Sequence, residues 1–476
     1  MSNAMAGLDG TIVNTALPAI IANLHGIQYM GWIVAIFLLT EAVSTPLWNK
    51  FGERKGNKLA YMLSTFIFGF GGLIQGLAPN MICFILARGL MGIGAGGMNT
   101  IPFIIYAHIF KNIKRREEVI GIATASFSTA SILGPVLGGW LVDAFSWRWI
   151  FFINIPVAIS SILLIQVFYH EKVNQHAEVD VDYLGSGLLV LGLVLILSGV
   201  QLIGQTGLLV VIALLVVGFI LILWFTRVEK RADDPIIPAR LFKQKQLVLD
   251  FLLFIFLWGS QVAFNVYLPM WAQGLLGLSA FVGGMTQIPG AIFNFVGSEI
   301  GPNVQYKIGN YRVVLLGSIS FIICFLGLVI KGQTASYPFL LLMGAFQGLG
   351  IGLSFSILQV ACQSDAEPRD MPAATSFAFL ARILSQTFMS AIYSAILNQA
   401  LLKGVVQSHH RITMGMLNKI SDANAAKKLS AQLIAPMRQI LFSGINHIMI
   451  ASTLLAVVAI LILLFGGLLK KQRIKD

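Results

Sequence analysis

The sequence predicts an all-α integral membrane protein, and three observations carry that prediction. Of 476 residues, 57% are hydrophobic and only 11% are charged, against roughly a quarter charged in soluble domains. Apolar runs of about 20 residues, enough to cross a hydrocarbon core of about 30 Å, recur from one end to the other and leave no room for a soluble domain. The Lys and Arg residues gather in short connections between those runs.

Taken in order, the runs give fourteen expected spans, at about 3–22, 30–48, 59–78, 81–108, 119–143, 149–169, 184–203, 207–226, 247–272, 279–300, 312–331, 337–362, 373–400 and 440–469. Lys50, Arg54, Lys55 and Lys58 follow the second span, and Lys111, Lys114, Arg115 and Arg116 the fourth. Arg227, Lys230, Arg231, Arg240, Lys243 and Lys245 follow the eighth, and Lys470, Lys471, Arg473 and Lys475 the last. Such loops face the cytoplasm. The alternate short loops hold only Arg148 and Lys331, so both termini are expected inside.

Residues 401–438 are polar and Ala-rich and carry six basic residues, yet are placed outside, because a connection of that length weighs little in the charge rule. Its Ala-rich middle is expected to form helix against the outer face, with His409 and His410 in solvated loop. No Lys or Arg precedes the first span. The expectation is that residues are missing before Met5, either through the choice of start site or because Met1 to Ala4 is a cloning remnant.

The formal net charge of +12 belongs to these loops and to anionic lipid, and no nucleic acid partner is expected. Cys83, Cys324 and Cys362 lie in apolar segments without paired spacing or a neighbouring His, so no metal site, cofactor or catalytic set is expected. There is no Walker-type glycine loop, His-Glu-x-x-His or nucleophile elbow. Energy is expected from an ion gradient, not ATP.

Charged groups inside the spans are the candidate functional residues, because an ionised side chain at mid-bilayer costs roughly 2.5–3.5 kcal/mol on the mildest scales. Asp9 lies about 10 Å from the cytoplasmic end of span one and Glu41 about 10 Å from that end of span two. If they face each other, repulsion and desolvation favour a proton on at least one. If they face apart, one alone matters. The other reading of Asp9 is a structural hydrogen bond into a neighbouring helix, and of Glu41 a group solvated by the cytoplasmic half-channel. Arg88, on span four, needs a carboxylate or several carbonyls around it, for coupling or for structure. Arg382 on span thirteen is similar in cost. Asp250 and Glu299 lie near cytoplasmic ends and read as solvated boundary charges, and Asp143 beside Arg148 as a surface pair.

At this point the residues resemble a known family. Leu8-Asp9-Gly10-Thr11-Ile12-Val13-Asn14-Thr15-Ala16-Leu17-Pro18 is similar to the first-span motif of the fourteen-span drug:proton antiporters of the major facilitator superfamily, and the likeness covers nearly the whole chain. Pro46 to Lys58 resembles the superfamily's cytoplasmic loop motif, including Lys50, Glu53 and Gly56, with Asn49 where Gly is usual, Glu53 for Asp and Asn57 for a basic residue. Arg88 to Gly97 resembles the Arg-led glycine motif of span four, with Met91 where Gln is common. Gly134-Pro135-Val136-Leu137-Gly138-Gly139 resembles the antiporter motif of span five. Trp147 to Pro156 and Asp182-Tyr183-Leu184-Gly185 are companions of the fourteen-span branch.

The resemblance implies two six-helix bundles, residues 1–169 and 247–476, joined through residues 170–246 with two additional central helices, and rocking around a central cavity. Asp9, Glu41 and Arg88 would couple protons to transport. Lys50, Glu53 and Gly56 would gate one face and Gly134, Pro135, Gly138 and Gly139 the other, the glycines allowing close helix approach and Pro135 a bend. Tight packing without motion is the alternative for span five. Asn14, Gln261, Asn265, Tyr267, Trp271 and Arg382 are expected to line the cavity, where ring faces suit flat lipophilic cations. Aromatic residues that pack only against helix or lipid are the alternative. The function so implied is proton-coupled efflux of lipophilic, chiefly cationic drugs across a bacterial plasma membrane by a monomer. A carrier for one metabolite, peptide or lipid, and a non-transporting sensor, are the other readings.

Overall fold

The computed structural model describes residues 1–110, 113–171, 183–203, 206–229, 239–367, 370–409 and 411–473. Lys111, Asp182, Lys230, Arg231, His410 and Lys475 lie outside the described residues. Among the described residues, eleven helices are long and apolar enough to cross a membrane, and each coincides with an expected span. The other three expected spans, 119–143, 184–203 and 279–300, also fall on helix. The first of these helices begins in a charged stretch, and the third is broken.

The first group of helices is α1 (Ser2–Leu24), α2 (Met30–Lys55), α3 (Asn57–Leu77), α4 (Met81–Ile109), α5 (Ile113–Ala144), α6 (Trp149–Phe152) and α7 (Asn154–Phe168). The expected span 149–169 is divided at Ile153, because Pro156 withholds the N–H that the Phe152 carbonyl would accept. α4 packs on α2 and α3, α1 on α5, and α3 on α7. The glycines of α4 make the first two contacts possible. Gly92 and Gly96 lie against Phe37, Thr40 and Glu41 of α2, while Gly94 and Gly97 lie against Ser64 and Phe68 of α3.

α8 (Tyr183–Gln201) and α9 (Leu208–Glu229) form a hairpin, and α8 reaches both α2 and the later helix Met371–Gln407. The second group is α10 (Lys245–Met270), α11 (Ala280–Met285), α12 (Ile288–Ile308), α13 (Asn310–Lys331), α14 (Tyr337–Ser364), α15 (Met371–Gln407), α16 (Met414–Ile420), α17 (Ala423–Ala426) and α18 (Ala431–Arg473). α11 and α12 divide the expected span 279–300 for the same reason, with Pro289 in the first turn of α12. α14 packs on α12 and α13, and α10 on α15 and α18.

The Ala-rich part of residues 401–438 contributes only the single turn α17. Asp422 caps it by accepting from the Ala425 N–H at 2.7 Å. His409 is exposed, as expected. Arg240, ahead of α10, ion-pairs with the buried Asp370 at the start of α15. Glu299 is exposed as expected of a boundary charge, whereas Asp250 is buried, in a hollow of about 30 Å³ shared with Tyr311 and Asp365.

Candidate functional site

α1 is surrounded by α4, α5, α7, α10 and α11. Asp9 is only 1% exposed on this helix, and Arg88 of α4 is 4% exposed. Nη1 of Arg88 donates to Oδ2 of Asp9 at 3.0 Å and to Oδ1 at 3.4 Å. The ring of Phe37 lies 4.0 Å from the guanidinium carbon, so α2 closes the pair from the side. Met5, Phe68, Met91 and Met98 form the apolar cluster around that ring. The cation expected to need a partner has one, and the carboxylate beside it is the first-span Asp.

Glu41 is half-buried on α2 and accepts from Nδ2 of Asn99 on α4 at 2.7 Å. Each carboxylate therefore meets its own residue of α4, and the two lie close enough to interact electrostatically. Asn99 was not among the residues picked from the sequence. An uncharged amide in span four carries no insertion cost of the size that marks a charge.

One turn apart on α1, Gly10 and Asn14 share a face, and Nδ2 of Asn14 donates to the Gly10 carbonyl at 3.4 Å. Gly10 is exposed, and no atom lies within 4 Å of where a Cβ would stand. An open space therefore lies beside α1, although other helices surround it.

The face bearing the Lys50 to Lys58 loop is here called the basic face. At the opposite face the two groups of helices are joined by hydrogen bonds. Gln273 donates to the Thr15 carbonyl at 3.0 Å, and the Ile27 N–H donates to Oδ1 of Asn418 at 2.9 Å. Ser390 donates to the Gly31 carbonyl at 3.2 Å. The carboxylate of Asp143, at the end of α5, accepts from the N–H groups of Ala280 and Phe281 at 3.2 and 2.8 Å. Asp143 thus caps α11 and is not the surface partner of Arg148, whose guanidinium reaches Asn23 and the ring of Trp147.

The glycines of α5 sit at the same junction. A Cβ on Gly134 would meet Thr11, one on Gly138 would meet Ile12, and one on Gly139 would stand 2.4 Å from Cα of Phe281. The carbonyl of Pro135 fills the matching position over Gly284 of α11, 2.3 Å from where its Cβ would be. Backbone lies on backbone here, which only glycine allows.

At the basic face, Gly56 joins α2 to α3 with φ at 96°, a conformation open to glycine. The carboxylate of Glu171 accepts from the N–H groups of Asn57 and Lys58 at 2.9 and 2.8 Å, so the chain after α7 caps α3. Asn49, where the resemblance has Gly, accepts from Thr100 of α4 at 3.1 Å. Glu53 is exposed, and Lys50 lies on the last turns of α2.

In the second group, Phe254, Trp258, Gln261 and Asn265 share one stripe of α10 at intervals of three or four residues. Gln261 and Asn265 are half-buried. Tyr267 and Trp271 require a correction. They lie about 200° and 240° around the helix from Asn265, wholly buried and edge-on against Tyr393 and Phe442. They belong to the packed interior against α15 and α18, not to a cavity wall. Arg382 of α15 faces the stripe. Its guanidinium carbon lies 5.0 Å from the ring of Phe355, 5.1 Å from Phe379, 5.6 Å from Trp258 and 5.9 Å from Phe254.

Many apolar spans with a buried ion pair among them mark a multi-pass membrane protein. Residues 1–181 and 183–390 match the Major Facilitator Superfamily, and the chain belongs to that family of transporters, which are not enzymes. It is 28% identical over 484 residues to multidrug resistance protein 3 of Bacillus subtilis (strain 168), covering 99% of this chain and 94% of the relative. It is 31% identical over 399 residues to the multidrug transporter protein MdtP of the same organism, covering 83% and 73%. Among solved structures, a bacterial homolog to the human lysosomal transporter Spinster, inward-facing and occupied, matches with a TM-score of 0.63 at 16% identity. That match covers 98% of this chain and 94% of the other, a likeness of fold.

Proposed function

We propose that the protein exports lipophilic compounds, cations foremost, from the cytoplasm in exchange for protons. The observation that carries this reading is the buried Asp9–Arg88 pair, with Glu41 one turn along α2 from the Phe37 ring that covers Arg88. A proton on Asp9 removes the charge that holds Arg88, so the two protonation states favour different packings of α1 against α4 and α2. Glu41, half-buried and held by one amide, offers a charge to a cationic substrate and a second place for a proton. The names of the two Bacillus relatives, which match most of the chain, support drug efflux as the outcome.

In this reading α5, α8 and α11 with α12 bring the spans to fourteen. Residues 1–169 and 247–476 are the two bundles, with residues 170–246 between them. The basic face and both termini are cytoplasmic, and the protein works as a monomer in a bacterial plasma membrane. Gly134, Pro135, Gly138 and Gly139 form the outer gate against α11, while Lys50, Glu53 and Gly56 belong to the cytoplasmic one. Asn14, Gln261, Asn265 and Arg382 line the path between them.

The test is ethidium efflux from proteoliposomes with an imposed pH gradient, comparing the unaltered chain with Asp9→Asn. Efflux that needs the gradient and disappears in the variant is expected. No efflux from the unaltered, folded protein refutes the multidrug reading and leaves a carrier for one metabolite, peptide or lipid.

A further inference from the structure

Arg382 lies eleven residues into α15, about 16 Å from the start of that helix. Four aromatic rings from α10, α14 and α15 surround its guanidinium at 5.0 to 5.9 Å. No carboxylate among the described residues is within ion-pairing distance of it, in contrast to Arg88. Ring faces attract a guanidinium through its flat sides, but they take none of the five N–H groups that fan out in its plane. Those donors match the two oxygens of a carboxylate. Three of the rings also pack on one another. Trp258 lies tilted between Phe254 and Phe355, with centroids 5.0 and 5.7 Å away. On the open side, Phe379 is 43% exposed and Phe355 half-buried, so the box is not sealed. Along α10 the same stripe continues to the half-buried amides of Gln261 and Asn265.

We infer that Arg382 and its aromatic box form a subsite for the ionised carboxylate of a planar aromatic acid. This rests on the exporter reading and extends it. A path with Glu41 on one wall and Arg382 on another accepts amphoteric aromatic compounds as well as simple cations, each charge answered by a different half of the protein. The acid group pairs with the guanidinium fork while its ring lies against Phe379 and Phe355.

The test is equilibrium binding of 2-naphthoate and of the neutral, nearly isosteric 2-naphthamide to purified protein in lipid nanodiscs at neutral pH. The unaltered chain is expected to prefer the acid by about tenfold or more, the scale of a hydrogen-bonded charge. In Arg382→Gln that ratio falls toward one, and in Arg382→Lys, which keeps the charge but loses the fork, it lies between. Gel filtration checks each variant, and where Arg382→Gln does not fold, an Arg382→Lys ratio equal to that of the unaltered chain overturns the subsite. Equal binding of acid and amide by the unaltered chain overturns the subsite, as does an acid preference that Arg382→Gln retains in folded form. Ethidium efflux separates the two readings. Efflux without an acid preference removes the subsite alone, whereas an Arg382-dependent preference in protein that moves no ethidium keeps the subsite and removes the multidrug reading.

Discussion

Gly284→Ala is expected to force the opposite face open. The new methyl would stand 2.3 Å from the Pro135 carbonyl oxygen and 2.7 Å from Cγ2 of Thr15, where ordinary contacts begin at 3.4 Å. Thr15 can turn its methyl aside, but the carbonyl is backbone in the middle of α5 and cannot. α11 must therefore retreat from α5 by about 1 Å, and overpacking of this kind costs about 1–3 kcal/mol in a well-packed interface. The cost falls only on the arrangement in which α5 and α11 touch. The balance between that arrangement and one with this face open thus shifts by about 5- to 150-fold. Spin labels at the exposed positions His25 and Lys427, in a chain whose three cysteines are replaced by serine, report the distance across this face. A single short distance is expected for the unaltered sequence and an added longer population for Gly284→Ala. Gly187→Ala, at a position with no atom within 4 Å of the added carbon, is the control. Folded Gly284→Ala with an unchanged distance distribution refutes the idea that backbone contact at this junction holds the face closed.

Three further outcomes are expected. Asp9→Asn leaves Arg88 buried without its counter-charge and lowers stability by about 3–5 kcal/mol, while adding Arg88→Gln restores part of the loss; denaturant unfolding of the four chains in mixed micelles measures the coupling, and additivity of the two changes refutes the pairing. Glu171→Gln weakens the cap on α3 by about 1 kcal/mol, read as faster amide exchange at Asn57 and Lys58, with unchanged exchange as the contrary result. Burial holds the Asp422 carboxyl above the usual carboxylate range, reinforced by Asp143 and opposed by the Ala425 and Asn424 N–H groups and by Lys427. The folded form of this segment therefore binds the proton more tightly than the unfolded form. Its added stability is fully present below the unfolded carboxylate value and is lost as pH rises through the folded one. Amide exchange across 414–426, corrected for intrinsic rates, is expected to quicken with rising pH in the unaltered chain and to stay level in Asp422→Asn, which keeps the cap. A slope that persists in that variant assigns the effect to another group.

How far the sequence could be read depended on which physical signal was large. Apolar length located the helices, since every expected span falls on helix. The breaks at Ile153 and at Thr286 and Gln287 were missed because a proline inside an apolar run barely changes its hydropathy. Asp9, Glu41 and Arg88 were legible because charges in a membrane are costly enough to stand out singly. Their arrangement was not, since it depends on how α1 and α2 turn toward α4. For α10 the signal was present and unused. At 100° per residue, Asn265 and Tyr267 point to opposite sides, which separates the half-buried amides Gln261 and Asn265 from the wholly buried Tyr267 and Trp271. Asp143 and Asn418 were out of reach, because their partners lie 137 and 391 residues away in the chain and no local pattern records them.

The energies at the two ends of the first group are of matching size, and that match makes exchange workable in the proposed function. The opposite face is held by backbone contacts and by the hydrogen bonds of Gln273, Asn418, Ser390 and Asp143. At about 0.5–1.5 kcal/mol net for each bond, these sum to a few kcal/mol. Breaking the Asp9–Arg88 pair by protonation involves about 3–5 kcal/mol, and reversing a two-state balance from 1:99 to 99:1 takes about 5.5 kcal/mol. A gate held much more firmly would ignore the proton, and one held by much less would open without it. The junction therefore has to be built from single hydrogen bonds and glycine contacts, and no buried ion pair crosses it among the described residues. Asp143 at this junction meets backbone N–H groups and not a cation.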